Sequence, residues 1–136
     1  MRDKAHLWTK AAQDSLAKRF GLPNHGLMQD WEWEVADVER FDEFLSAYTS
    51  SLPVDQRFSL MEILVQCTED CRSEPKRLDL WSKIKPVLEQ NLDIHTETIL
   101  YWSRLDAEHE DEMFGVSPLM RRLANENNVR ALDCDA

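Results

Sequence analysis

The densest group of chemically active side chains lies between Asp106 and Glu112, where five carboxylates and the imidazole of His109 occupy seven residues. Carboxylate oxygens are the ligands that Ca²⁺ and Mg²⁺ prefer, which makes a metal site conceivable. The spacing matches no EF-hand loop, and the turn glycine of such loops is missing. We therefore interpret this segment as an acidic surface that attracts the lysine and arginine side chains of a partner protein.

The remaining side chains able to do chemistry are dispersed. No H-E-x-x-H motif or Cys/His zinc spacing involves the four histidines, which are His6, His25, His95 and His109. We interpret His95 as a capping or surface residue near a helix start. The chain also lacks a G-x-S-x-G elbow, a P-loop and a dinucleotide fingerprint. We therefore predict no catalytic residues, no metal site and no cofactor, and a protein that is not an enzyme.

The cysteines number three: Cys67, Cys71 and Cys134. Cys67 and Cys71 are four residues apart, so a helix places them on one face. They are either a redox pair or, as we favour, small buried hydrophobic residues. An odd number without a framework spacing indicates a reducing compartment. The first residues contain no apolar core of a signal peptide, so we expect the cytoplasm.

A second acidic region runs from Asp30 to Glu43 and begins with the sequence DWEW. Its tryptophans, Trp31 and Trp33, alternate with glutamates, yet the run is short and has no obvious partner strand. We interpret it as an extended or one-turn linker whose tryptophans fill the core. The alternative is an exposed recognition surface, because tryptophan is enriched at binding hot spots.

The predicted fold is organised around residues 52–71, the longest apolar stretch with helical spacing. Phe58, Met61 and Leu64 follow the three-and-four spacing of a buried stripe. Apolar residues beside this stripe widen it, which indicates a helix covered on more than one side.

The start and the end of this helix carry their own signals. Pro53 is predicted at the first helical position, with Asp55 as an acceptor for the N–H groups of the first turn. Pro75 is predicted to end the helix by forcing Glu74 out of α geometry. The central helix therefore lies near 53–72.

The rest of the chain is also predicted to be helical, since it has three glycines and no Asn-Gly or Asp-Gly turn. Further helices are expected over 3–20, 38–49, 76–91, 94–105 and from Ser117-Pro118 to about 127. Gly21 ends the first of them, Asp37 and Asp93 cap two others, and Pro86 is expected to kink the helix over 76–91. We predict an all-α fold, with five to six helices packed as antiparallel hairpins around the central helix. It forms one domain over 1–136, with a loose tail from about 129.

The charge of the chain limits its partners. Its 136 residues include 16 Lys and Arg against 26 Asp and Glu, a net charge of −10. This balance argues against nucleic acid and against an anionic membrane surface as ligands. No apolar run approaches the length of a membrane span. A basic protein is the partner that the charge favours.

Several aromatic and apolar segments together resemble the small, acidic, helical immunity proteins that bacteria make against polymorphic toxins. They are DWEW at 30–33, LW at 80–81, YW at 101–102 and FGVSPLMR at 114–121. The resemblance implies a bacterial, cytoplasmic protein without catalytic activity that binds and neutralises one cognate toxin.

If this holds, the acidic clusters at 30–43 and 106–112 are expected to contact the basic toxin, with Trp31 or Trp33 as the apolar anchor. The predicted partner-binding residues are Trp31, Glu32, Trp33, Glu34, Glu39, Asp42, Glu43, Asp106, Glu108, Glu110, Asp111 and Glu112. Two alternatives stay open: a non-catalytic adaptor or regulatory subunit that binds a partner helix, and a metal-binding or enzymatic protein that uses residues 106–112. The oligomeric state is left open.

Overall fold

A computed structural model describes residues 7–24, 30–104 and 114–129. Within these ranges the chain forms seven α-helices and no strand, which confirms the all-α prediction. The helices are α1 (Lys10–Phe20), α2 (Trp31–Glu34), a 3₁₀ helix (Val38–Arg40), α3 (Phe41–Ala47), α4 (Val54–Asp70), α5 (Glu74–Gln90), α6 (Leu92–Ser103) and α7 (Ser117–Glu126). In the ranges just given, no helix combines the length and the apolar character that crossing a bilayer requires.

The helices cluster into two compact units. Met1–Cys71 contains α1 to α4, and Arg72–Ala136 contains α5 to α7. The expectation of a single domain over 1–136 stays a prediction, and most of the predicted loose tail lies outside the described residues.

Helix α4 is the centre of the first unit, where it packs against α1, α2, α3 and the 3₁₀ helix. Its buried residues include Phe58, Met61 and Leu64, none of which exposes any surface. Burial extends to neighbouring positions around the helix, as the wide apolar pattern predicted. The prediction of a central helix is therefore confirmed for this unit.

The ends of α4 differ from the prediction. Pro53 is the N-cap residue with an extended ψ of 149°, and the helix begins at Val54. The Asp55 carboxylate accepts a hydrogen bond from the Thr9 hydroxyl at 2.6 Å, so it ties α1 to α4. The helix ends at Asp70, before the Glu74-Pro75 pair is reached.

The Glu74-Pro75 pair begins a helix, and the prediction that it ends one was wrong. Ser73 is the N-cap of α5, and its hydroxyl accepts a hydrogen bond from the backbone N–H of Lys76 at 3.1 Å. A proline in the first turn costs nothing, because N–H groups there have no intrahelical partner. Pro86 lies on the exposed side, and α5 continues past it as one helix to Gln90.

The first helix begins later than predicted. Thr9 is its N-cap and accepts a hydrogen bond from the N–H of Ala12 at 3.0 Å, so the helix starts at Lys10. Its predicted end is confirmed, since Gly21 adopts the left-handed conformation at φ 66° that a residue without Cβ tolerates best.

The segment predicted as one helix over 38–49 is a 3₁₀ turn followed by α3, which ends at Ala47. The predicted cap is confirmed, because the Asp37 side chain accepts a hydrogen bond from the N–H of Glu39 at 3.0 Å. Asp93, in contrast, does not cap α6. That helix begins at Leu92, after Asn91.

Helices α6 and α7 pack against each other in the second unit. The Ser117 hydroxyl donates to the Trp102 carbonyl at 2.8 Å and accepts from the N–H of Phe114 at 2.9 Å. The sequence predicts that Ser117 caps α7, but its side chain instead joins α7 to α6. The rings of Trp102 and Phe114 lie 4.6 Å apart. The Arg121 guanidinium donates to the carbonyls of Ser103 and Arg104 and thereby holds the carboxyl end of α6.

A charged network joins α5 to α7 and gives the stability of this unit a pH dependence. The side-chain amide of Asn127 and the ammonium of Lys85 each donate to Glu89 at 3.1 Å, and together they hold the pKa of Glu89 below its ordinary value. A carboxyl whose pKa is lower in the folded state stabilises the fold above its unfolded pKa. That contribution is lost as the pH falls through the folded pKa.

Glu89→Gln should therefore lower the Tm at neutral pH by about 1–5 °C, the range of a single partly exposed pair. The difference from the parent protein should shrink as the pH falls below about 4.3, the ordinary pKa of glutamate, and disappear below the folded pKa of Glu89. Circular dichroism melts between these pH values measure it. Asp93→Asn removes an exposed charge from the same unit and is the control. A Tm difference that does not change with pH would contradict the assignment.

Candidate protein-contact site

Trp31 lies inside the first unit. It is 0 % exposed, and its indole N–H donates to the Pro23 carbonyl at 2.6 Å. The core-filling interpretation is therefore confirmed for this residue. Its predicted role as a partner anchor was wrong, because a buried ring offers no surface to another protein.

Glu32 is also buried, with 1 % of its surface exposed, and it accepts a hydrogen bond from the Ser59 hydroxyl of α4 at 3.0 Å. It too leaves the set of residues predicted to contact a partner. From the sequence pattern, a glutamate in an acidic run is predicted to be exposed to solvent. A hydroxyl on a facing helix supplied the hydrogen bond that makes burial possible.

Trp33 is half-buried and connects α2 to α4 in a different way. Its indole N–H donates to the carboxylate of Glu62 at 3.0 Å, and Glu62 is itself fully buried. The exposed part of the ring keeps Trp33 available as an apolar contact. No feature of the sequence links Glu62 to it, because the two residues lie 29 positions apart.

Beside α2 the structure has an open cleft of about 570 Å³. It is formed by the chain after α1, the connection from α2 through the 3₁₀ helix, and the last residue of α4. The lining residues are Gly21, Leu22, Pro23, Glu34, Val35, Ala36, Asp37, Val38, Glu39, Arg40 and Asp70. Four of them are carboxylates and one is a cation.

The cleft brings together two of the predicted contact residues, Glu34 and Glu39, and adds Asp37 and Asp70. Asp42 and Glu43 are exposed on α3 but do not line the cleft. Sequence reasoning assigned Asp37 to a helix cap and overlooked Asp70, which reaches the cleft because α4 ends there. The acidic composition of residues 30–43 was the only feature of the sequence that pointed to this site.

The single cation of the lining is already neutralised. The Arg40 guanidinium forms two hydrogen bonds of 2.8 Å with the Glu43 carboxylate and one of 2.9 Å with the Phe20 carbonyl, and it lies 5.3 Å from the centre of the Phe44 ring. Hydrogen bonding to Glu43 raises the pKa of Arg40, and Arg40 in turn lowers the pKa of Glu43.

Among the described residues, the four lining carboxylates have no such partner, although the charge of Asp37 also contributes to raising the pKa of Arg40. In the part of the chain that the structure describes, no ion pair involves Glu34, Asp37, Glu39 or Asp70. The last turn of α4 also contains no basic residue, so the negative end of the helix dipole adds to the field at Asp70. The arrangement is chemically suited to a cationic ligand.

The second predicted cluster, Asp106, Glu108, Glu110, Asp111 and Glu112, lies outside the described residues. Within the described ranges, no group of three or more His, Cys, Asp and Glu side chains is placed to hold a metal ion. His95 is fully buried in α6, so its interpretation as a capping or surface residue was wrong.

Cys67 of α4 and Cys71, the residue that follows this helix, are free and buried, as the favoured interpretation predicts. The Cys67 thiol lies 3.4 Å from the Asp37 carbonyl, to which it donates. Removal from water raises the pKa of Cys67 to about 12. Roughly one thiol in ten thousand is therefore ionised at about pH 8, and the thiolate is the reactive species.

We expect Cys67 and Cys71 to resist thiol reagents in the folded protein. In a Cys134→Ser background, a colorimetric thiol assay near neutral pH should detect almost no reaction until denaturant is added, and two thiols afterwards. Fast labelling of one α4 cysteine without denaturant would contradict the burial and revive the redox interpretation.

Comparisons with known proteins identify no relative: no protein-family model, no curated protein and no solved structure matches this chain.

Proposed function

We propose that the protein is an acidic protein-binding module of the immunity type, which binds a basic toxin and neutralises it. The observation that carries the proposal is the cleft with four carboxylates and no free cation. Asp42 adds an exposed carboxylate on α3, and Trp33 adds a half-buried aromatic ring. Charged patches of this kind select partners of opposite charge.

The physical logic of inhibition is electrostatic. Toxins that act on nucleic acids need a basic surface to bind their substrate. An acidic protein competes for the same surface, and opposite fields raise the rate of encounter by about 10- to 1,000-fold. The inhibitory role is proposed from the resemblance of the segments at 30–33, 80–81, 101–102 and 114–121 to immunity proteins. Such a protein works in the bacterial cytoplasm, without cofactor or catalytic residue.

Affinity capture from lysate of the source organism tests the proposal. The tagged protein is exposed to lysate at low and at high salt, and the bound proteins are identified. One basic partner in equal amount, with association slowed by salt, is the expected result. A partner whose binding ignores salt would favour an adaptor that holds a helix in an apolar groove. No partner at either salt would contradict the proposal.

A further inference from the structure

We infer that the cleft beside α2 receives a lysine or arginine side chain from the partner polypeptide, with the charged head on the carboxylates and the aliphatic stem on the apolar wall. The inference rests on the proposed function and names the chemistry that the site selects. Three properties of the cleft carry it: its mixed lining, the state of its carboxylates and the restraint on Arg40.

The lining is not purely acidic. Leu22, Val35 and Val38 line the cleft together with the carboxylates. Lysine and arginine side chains bury their methylene stems on apolar surface while the head stays with polar groups. A hydrated metal ion would gain nothing from apolar side chains, because hard cations bind oxygen ligands and water. The volume of about 570 Å³ falls in the range of ligand pockets, about 300–1,000 Å³.

Hydrogen bonds within the protein fix the direction of three of the carboxylates. One oxygen of Glu34 accepts from the N–H of Asp30 at 3.1 Å, one of Asp37 accepts from Glu39, and one of Asp70 accepts from the Gln66 amide at 2.7 Å. Each carboxylate has a second oxygen, to which the described residues donate no hydrogen bond. These groups can therefore bind a cationic head at little cost in side-chain order.

Arg40 forms no ion pair with the lining carboxylates that the structure describes, although Asp37 lies near enough to contribute to raising its pKa. Glu43 and the Phe20 carbonyl hold its guanidinium, and the rings of Phe20 and Phe44 lie within 6 Å of it. A cation from outside is therefore not displaced by one from the wall.

Two matched peptides test the inference: Ac-Gly-Val-Arg-Val-Gly-NH2 and the same peptide with citrulline, which has the shape of arginine without its charge. Each is titrated at low ionic strength while amide NMR spectra are recorded. We expect the arginine peptide to move the signals of residues 34–40 and 70, and the citrulline peptide to leave them unchanged. Equal binding of both peptides, or shifts elsewhere on the protein, would overturn the inference.

Charge-neutral variants sharpen the assignment. Asp70→Asn and Glu39→Gln alter exposed side chains, so the fold should survive. Each should weaken the arginine peptide about two- to fivefold, as exposed ion pairs do. Asp93→Asn removes one exposed charge elsewhere and should have no effect. Unchanged affinity in both cleft variants, or MgCl₂ giving the same shifts as the arginine peptide, would overturn the inference.

The two proposals fail in different ways. If a basic partner is captured from lysate and the cleft variants bind it as tightly as the parent protein, the inference about the cleft is wrong and the proposed function stands. If the arginine peptide binds in the cleft but no partner is captured, the proposed function is wrong and the cleft chemistry stands.

Discussion

Replacing Trp31 by alanine is expected to lower the free energy of unfolding by about 3–5 kcal/mol, the usual cost of removing a buried tryptophan. The residue exposes none of its surface, and its indole N–H is bonded to the Pro23 carbonyl. The truncation would leave a cavity and remove the hydrogen bond to Pro23, and α2 has only four residues with which to rearrange. Guanidinium unfolding followed by far-ultraviolet circular dichroism measures the loss.

Trp31→Phe is the matched control. It keeps most of the apolar volume and removes only the indole hydrogen bond and some contact, so a smaller loss of about 1–2 kcal/mol is expected. If Trp31→Ala cost less than about 1 kcal/mol, the ring would not support the core. The exposed-anchor interpretation of the DWEW segment would then be restored.

The position of Trp31 matters for the proposed function because α2 contributes Glu34 to the acidic cleft. The helix is a single turn, too short to be stable without tertiary contacts. Hydrogen bonds from Ser59 to Glu32 and from Trp33 to Glu62 attach it to α4, and the bond from Trp31 to Pro23 attaches it to the chain after α1. Glu34 and Val35 are thus placed beside the cleft by the contacts that hold α2 in the first unit. Loosening α2 should weaken binding without altering any charge in the cleft.

Helical periodicity explains why one tryptophan of the segment is buried and the other is not. The alternating sequence places both tryptophans on one face of a strand, yet the chain forms one turn of helix. Two residues turn a helix by about 200°, so Trp31 and Trp33 point in directions about 160° apart. Four residues are too few to show whether the sequence repeats with the period of a strand or of a helix. The secondary structure of this segment was therefore uncertain from the sequence.

Elsewhere the sequence correctly predicted structural features that depend on residues close together in the chain. The long apolar pattern of α4, the glycine that ends α1 and the aspartate that caps the 3₁₀ helix are all found. Errors arose where a polar side chain has a distant partner. Asp55 bonds Thr9, and Ser117 bonds Trp102, so neither caps its own helix. Local propensity cannot identify such partners, because tertiary packing selects them.

The candidate site was predictable only as a region. Acidic composition identified residues 30–43, but the cleft also needs Asp70, which lies more than thirty positions beyond Glu34. The same composition placed Glu32 on the surface, where it is not found. Charge counts identify a region of the sequence that would attract a basic partner as a whole. The geometry that sorts buried carboxylates from exposed ones comes from the packing of α2 on α4.

A second large effect is expected in the other compact unit, from Trp102→Ala. Trp102 is 1 % exposed, and its ring lies 4.6 Å from that of Phe114 and 5.6 Å from that of Tyr101. Its loss removes contacts at the junction of α6 and α7 and should also cost about 3–5 kcal/mol. Denaturant unfolding monitored by circular dichroism measures the effect, and Tyr101→Leu, at a half-buried position, should cost less.

Together the two alanine variants test whether residues 1–136 form a single domain. A cooperative domain unfolds in one transition, and both Trp31→Ala and Trp102→Ala should then move that same transition to lower denaturant. Separate domains would give two transitions, each moved by one variant only. Because Trp31 and Trp102 belong to different compact units, this second pattern would contradict the prediction of a single domain. It would also permit the acidic cleft, whose lining lies entirely within residues 1–71, to be studied in the first unit alone.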